Sequence, residues 1–269
     1  MFEKLKTYLA YLLKAKSAHG IHSPFVYDFY NEVLHDNRYF TVFDDIEILR
    51  EEMQHDQRLI EVVDYGAGAS NESKDGFAKK IKSVAEIATR TAITKREGEL
   101  LFRMVDKYNP ANILELGTSV GISSLYLAMQ NSHCKIVTLE GSINISEIAK
   151  ENFKLLAVEN IEVFVGQFDE TLPLCLEKII GAGNNKVGMV FIDGNHRYEP
   201  TMKYFQVLLT AMGDDSFIVF HDINWSVEMQ MAWKEISNHP KVSVSIDIYT
   251  MGIVFLKPGI PKQHFVLSW

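Results

Sequence analysis

The run Ile113-Leu114-Glu115-Leu116-Gly117-Thr118-Ser119-Val120-Gly121-Ile122-Ser123-Ser124 decides the fold. Its first four residues read as a strand, Gly117 ends that strand, and Gly121 opens an apolar helix. A strand that stops at glycine and restarts as a helix brings main-chain N–H groups up to a ligand, because no Cβ stands in the way. The spacing is Gly-x-x-x-Gly, not the Gly-x-Gly-x-x-Gly of a dinucleotide pyrophosphate site. The loop residues Gly117, Thr118, Ser119 and Gly121 therefore predict a cofactor without a pyrophosphate.

Downstream of this run, short β-branched segments alternate with amphipathic ones. Strands are predicted at Asn112–Leu116, Lys135–Glu140, Ile161–Val165, Val187–Asp193, Phe217–His221, Val242–Ile248 and Ile253–Leu256. Helices are predicted between them at Ile122–Gln130, Ser146–Ala157, Thr171–Ile180, Thr201–Ala211 and Val227–Ser237. Such alternation predicts βαβ units in an α/β fold: a Rossmann-like, doubly wound, seven-stranded, mostly parallel sheet. Only Tyr249 to Gly252 join the last two strands, too short a crossover for a parallel pair, so the last strand is expected to be antiparallel.

Upstream, Leu5–Leu13, Pro24–Leu34 and Phe43–Arg58 read as helices, and Glu97–Tyr108 as the helix packing beside the first strand of the sheet. Residues 1–90 are read as a helical N-terminal appendage and 91–269 as the domain that carries the chemistry. The segment Asp64-Tyr65-Gly66-Ala67-Gly68-Ala69-Ser70 resembles a second ligand loop. The polar stretch after it is no amphipathic helix, which leaves a surface turn or a lid over the site.

The totals bound the partners. The chain has 269 residues, 47% of them apolar and 11% aromatic, and a formal net charge of −8. That is enough apolar material for a folded core. The acidic balance disfavours nucleic acid and anionic lipid as general partners. Cys134 and Cys175 lack metal-like spacing and fit a reduced, cytoplasmic compartment. Met1–Gly20 builds no uninterrupted apolar region, so neither a signal peptide nor a membrane span is expected.

Glu115 stands two residues before Gly117 at a strand's carboxyl end, where a carboxylate can accept from a bound ligand's ammonium. Glu140 ends the second strand, 19 residues past Gly121 (140 − 121). An acid at that place hydrogen-bonds the hydroxyls of a ribose. In Met189-Val190-Phe191-Ile192-Asp193-Gly194-Asn195-His196, Asp193 emerges at the fourth strand's carboxyl edge. His196 follows in a loop, as a suitable general base for a hydroxyl nucleophile. Phe217-Ile218-Val219-Phe220-His221-Asp222 brings Asp222 to the next strand end. The two carboxylates either hold a divalent cation such as Mg²⁺ or orient the substrate and His196.

On these motifs, residues 91–257 resemble the class I S-adenosylmethionine-dependent methyltransferases, most of all the small-molecule O-methyltransferase branch of the catechol and caffeoyl-CoA enzymes. The resemblance implies that Gly117 and Gly121 approach the methionine part of the cofactor, that Ser123 binds its carboxylate and that Glu140 binds its ribose. It places Thr91 to Ile93 in a lid segment touching the cofactor, and Gln167 and Phe168 beside the adenine. Where that branch often has lysine, this chain has His196, as in a group of bacterial methyltransferases carrying Asp-Gly-x-His. The metal-dependent relatives follow the second Asp with Asn, whereas Ile223 stands here and Asn224 comes one place later. The function implied is methyl transfer from S-adenosylmethionine to a hydroxyl oxygen of a small molecule. A cofactor-binding module without catalysis and a nucleotide-dependent dehydrogenase are the alternatives. The aromatic-rich helix at Pro24–Tyr30 either roofs the site or buries a homodimer interface.

Overall fold

Asn112–Leu116 is buried along its whole length, the pattern of a parallel strand covered on both faces. The computed structural model describes residues 2–66, 77–181 and 186–269. In chain order the first elements are α1 (Phe2–Lys14), α2 (Pro24–Phe29), α3 (Val42–His55), β1 (Leu59–Asp64), β2 (Ala78–Ser83), α4 (Val84–Thr91) and α5 (Lys95–Tyr108). Then come β3 (Asn112–Leu116), α6 (Ile122–Ala128), β4 (Lys135–Glu140), α7 (Ile143–Leu155), β5 (Ile161–Val165) and α8 (Phe168–Gly181). The last are β6 (Val187–Ile192), α9 (Tyr198–Ala211), β7 (Met212–His221), α10 (Val227–Asn238), β8 (Val244–Asp247), β9 (Met251–Phe255) and β10 (Gln263–Val266). Residues 1–36 with 186–269 form one compact unit and residues 37–185 another.

In the 37–185 unit, β3 pairs parallel with β4 and β4 with β5. Thr94 and Glu97 close a capping box at the start of α5, and Asn109 ends the helix in the left-handed region, so Pro110 follows a finished helix. Gly98 lets α5 lie against the Tyr126 ring, since a Cβ there would come within 2.3 Å of it. β1 and β2 form an antiparallel ribbon. Val63 N–H donates to Ser142 Oγ at 3.3 Å and Asn144 Nδ2 to the Glu61 carbonyl at 2.8 Å, fixing the ribbon to the segment after β4.

In the other unit the strand order is β10-β8-β9-β7-β6. β6 and β7 run parallel, β9 is antiparallel to both β7 and β8, and β10 is parallel to β8. Tyr11 Oη donates to the Leu267 carbonyl at 2.5 Å and Lys16 N–H to the Val266 carbonyl at 2.9 Å, which ties α1 and the segment after it to the end of β10.

The expected α/β fold is present, with the antiparallel strand where the short connection put it. Several features differ from the sequence reading. Residues 1–90 are not wholly helical, because β2, Ala78-Lys79-Lys80-Ile81-Lys82-Ser83, is too lysine-rich to read as a strand, and a two-stranded ribbon needs no buried apolar face. A strand beyond the expected seven, β10, is only four residues long. The helix beginning at Pro24 ends in a π turn over Tyr30–Leu34. Residues 67–76, which carry most of the second glycine loop, lie outside the described residues. No helix among the described residues is long and apolar enough to cross a membrane.

Candidate functional site

The β3–α6 connection turns through three left-handed residues, Gly117 (φ 110°), Ser119 (φ 47°) and Gly121 (φ 88°). Gly117 and Thr118 N–H both donate to the Leu139 carbonyl, at 3.0 and 3.1 Å, and Gly121 N–H to the Thr118 carbonyl at 2.9 Å. Asn152 Nδ2 holds the Val120 carbonyl at 2.8 Å. A Cβ on Gly121 would come within 2.5 Å of the Phe153 ring. Glycine is therefore required here for packing as well as for φ.

Glu140 is the hub of this corner. Its Oε2 accepts the Ser119 N–H and its Oε1 the Ser142 N–H, both at 2.9 Å. Burial pushes its carboxyl up to about 7, against the downward pull of backbone bonds from Ser142, Ser119 and Gly141, while Asp64 adds a smaller upward push. Thr91 Oγ1 gives its proton to the Ile87 carbonyl at 2.9 Å and so accepts from Ser119 Oγ at 2.6 Å. Gly166 N–H donates to the Glu140 carbonyl at 2.9 Å, which brings the exposed side chain of Gln167 and the half-buried Phe168 to the same corner. Each carboxylate oxygen of Glu140 has two lone pairs, so both can accept a further hydroxyl. That pair of acceptors fits the vicinal hydroxyls of an adenosyl group.

Other residues expected at the cofactor sit deeper. Glu115 and Thr118 are fully buried. Thr138 Oγ1 donates to Glu115 Oε2 at 2.6 Å, Ser124 Oγ donates to the same oxygen, and Thr118 Oγ1 donates to Thr138 Oγ1 at 2.7 Å. Glu115 thus anchors the floor of the loop through hydroxyls. Ile93 is buried, with its carbonyl taken by Arg50 Nη1 at 2.6 Å. Ser123 is buried in the first turn of α6. Sequence reasoning missed Tyr65, whose ring lies so close to Gly141 that a Cβ there would meet it at 2.8 Å. No motif marks such a contact.

Asp193, His196 and Asp222 belong to the other unit, where His221 joins them. His221 Nδ1 donates to Asp193 Oδ1 at 2.8 Å. His196 Nε2 lies 3.5 Å from the same oxygen, and Asp222 Oδ2 lies 3.9 Å from His221 Nδ1. His196 Nδ1 is buried and has no hydrogen-bond partner among the described residues. The Trp225 ring stands 6.0 Å from the His196 ring. Asn195 (φ 68°), His196 (φ 48°) and Asp222 (φ 56°) are all left-handed without being glycine, a concentration of backbone strain typical of functional corners.

This donor set does not fit Mg²⁺. A hard ion asks for several free oxygens, whereas Asp193 Oδ1 faces two imidazoles, and the residue directly after Asp222 is the buried, apolar Ile223. Among the described residues no group of three or more His, Cys, Asp or Glu side chains could hold a metal ion.

Residues 114–223 match a family described as a methyltransferase domain. The chain is 35% identical over 83 residues to an O-methyltransferase of Aspergillus flavus, covering 30% of this chain and 34% of that one. It is 29% identical over 136 residues to a catechol O-methyltransferase of Mycobacterium tuberculosis, covering 50% and 58%. The chain thus spans less than two thirds of the length of these relatives. Among solved structures, an S-adenosylhomocysteine-bound methyltransferase of Podospora anserina matches with a TM-score of 0.56 at 12% identity, over 87% of this chain and 97% of that one. An O-methyltransferase of Bacillus cereus, also in complex with S-adenosylhomocysteine, matches at 0.54 and 17%, over 81% and 92%.

Proposed function

We propose that this chain, which resembles the class I S-adenosylmethionine-dependent O-methyltransferases and matches a methyltransferase domain over residues 114–223, transfers a methyl group to a hydroxyl oxygen of a small molecule. The observation that carries the reading is Glu140. Its carboxylate ends β4, fixes the Ser119 amide of the glycine loop and keeps lone pairs for a ribose. With their N–H groups already engaged within the loop, Gly117, Ser119 and Gly121 would serve S-adenosylmethionine by close main-chain approach, with Thr91, Ser123, Gln167 and Phe168 around them. When bound, that cofactor supplies a methyl group already activated on a sulfonium.

What remains for the protein is to hold the acceptor and remove its proton. Asp193 beside His196 Nε2 favours the tautomer with the proton on Nε2. The unpartnered Nδ1 then carries the lone pair, and takes the hydroxyl proton as the oxygen attacks. Asp193 balances the imidazolium that forms, and His221 fixes Asp193.

Calorimetric titration with S-adenosylhomocysteine and with NAD tests the donor assignment. Tight binding of the first alone is expected, and failure of the first to bind sinks the reading. Turnover on a hydroxyl acceptor, found by screening for released S-adenosylhomocysteine, should be unchanged by EDTA. Loss of turnover with EDTA, restored by Mg²⁺, would return Asp193 and Asp222 to a metal role.

A further inference from the structure

Helix α1 is amphipathic in an unusual sense: its apolar face points away from the protein. Leu13 is 89% exposed, and Leu5, Leu9 and Leu12 each keep about half their surface in solvent. At 100° per residue these leucines and the exposed Tyr8 share an arc of about 140°. The helix is moored from the opposite side by Tyr11, which is buried and hydrogen-bonded to the Leu267 carbonyl. Tyr8 meets the Tyr249 ring edge-on at 4.9 Å. A stripe of leucines on a helix held so firmly calls for a partner.

The charges say which partner. Lys4 and Lys6 border the stripe on its two sides, Lys14 and Lys16 follow, and Glu3 is the one acid in residues 2–16. This basic segment belongs to a chain of net charge −8. Against a second copy, a self-complementary contact would set these lysines against their own counterparts. A broad leucine face edged by lysines, with tyrosine at its border, suits partial immersion in a lipid surface of negative charge.

We propose that α1 is an in-plane docking helix for an anionic membrane surface. Leu5, Leu9, Leu12 and Leu13 enter the acyl boundary, and Lys4, Lys6, Lys14 and Lys16 meet the phosphate groups. The inference stands apart from methyl transfer, since it uses no residue of the candidate site.

The test is co-sedimentation of the full chain with phosphatidylcholine vesicles, with and without about 30% phosphatidylglycerol. Binding is expected with the anionic vesicles and should weaken as salt is raised. Leu9→Glu/Leu13→Glu should weaken it at least about tenfold, and Lys4→Glu/Lys6→Glu should weaken it on anionic vesicles only. Both pairs are exposed, so S-adenosylhomocysteine affinity and the circular dichroism spectrum should stay as in the parent chain. The proposal is overturned if the parent chain leaves anionic vesicles in the supernatant, or if the leucine pair binds as well as the parent. It is overturned equally if the leucine pair merely turns a dimer into a monomer in sedimentation velocity, which would assign the stripe to a second copy.

Discussion

The glycine loop after β3 and the histidine corner after β6 and β7 solve the problem of a sharp strand-end turn in opposite ways. In the loop, the tight places fall to Gly117 and Gly121, and the Ser119 amide is held by a carboxylate. In the corner, Asn195, His196 and Asp222 adopt left-handed backbone with full side chains, and His196 Nδ1 stays without a partner. The first arrangement gives two of its three left-handed places to glycine and leaves only Ser119 strained, which suits close main-chain approach to the proposed cofactor. The second accepts strain to aim side chains, which is where proton transfer to a particular acceptor has to be arranged.

If that division is right, the largest separable effect is at His196. His196→Ala should lower kcat by about 10² to 10⁴-fold and leave the dissociation constant of S-adenosylhomocysteine within about twofold, measured by calorimetry on the same preparation. A parallel loss of affinity would break the comparison. Strain gives a second readout at the same position. His196→Gly lacks the imidazole too, but relieves φ 48°, so it should be more stable than His196→Ala by about 1 kcal/mol in urea unfolding.

The donor side predicts the reverse. Gly121→Ala meets the Phe153 ring at 2.5 Å and must hold φ 88°. The left-handed penalty and the overpacking together should cost about 2–4 kcal/mol of stability. Phe153→Leu in the Gly121→Ala background should recover part of that loss. No recovery would mean that backbone strain alone sets the cost.

The same contrast explains what could be read from sequence. β3 and β4 fall on the predicted boundaries because buried parallel strands are near-continuous apolar runs, and the half-exposed β5 does so through its β-branched and aromatic residues. The left-handed turns at Gly117 and Gly121 and the strand-end place of Glu140 were legible because they follow from a local pattern. The burial of Glu115 under Thr138 and Ser124 was not, since two of those three side chains come from different strands and meet only after folding. Nor was the His221–Asp193 bond, which joins residues 28 apart across β6 and β7. The β1–β2 ribbon escaped because its lysines mask its alternation, and the Tyr65–Gly141 contact depends on that ribbon.

The smallest predicted effect tests whether Glu140 serves the cofactor as a charged acceptor. With its carboxyl at about 7 in the ligand-free protein, two hydroxyl donors from a ribose would favour the ionised form and lower that value on binding. Affinity should then fall as pH falls: a group of pKa 7 that must ionise first makes binding about tenfold weaker at pH 6 than at pH 8. Proton release should accompany binding near pH 6.5, seen as a dependence of the apparent enthalpy on the buffer's ionisation heat. Stability of the ligand-free chain should move the other way. Between the ordinary 4.5 and about 7 the folded carboxyl keeps a proton that the unfolded chain has released, so this group's contribution declines as pH rises through that window. Glu140→Gln should flatten both trends while leaving the His196-dependent step in place. If instead the affinity is level from pH 6 to 8, Glu140 acts on the loop through its amide bonds alone, and the ribose must be held by other residues of the 37–185 unit.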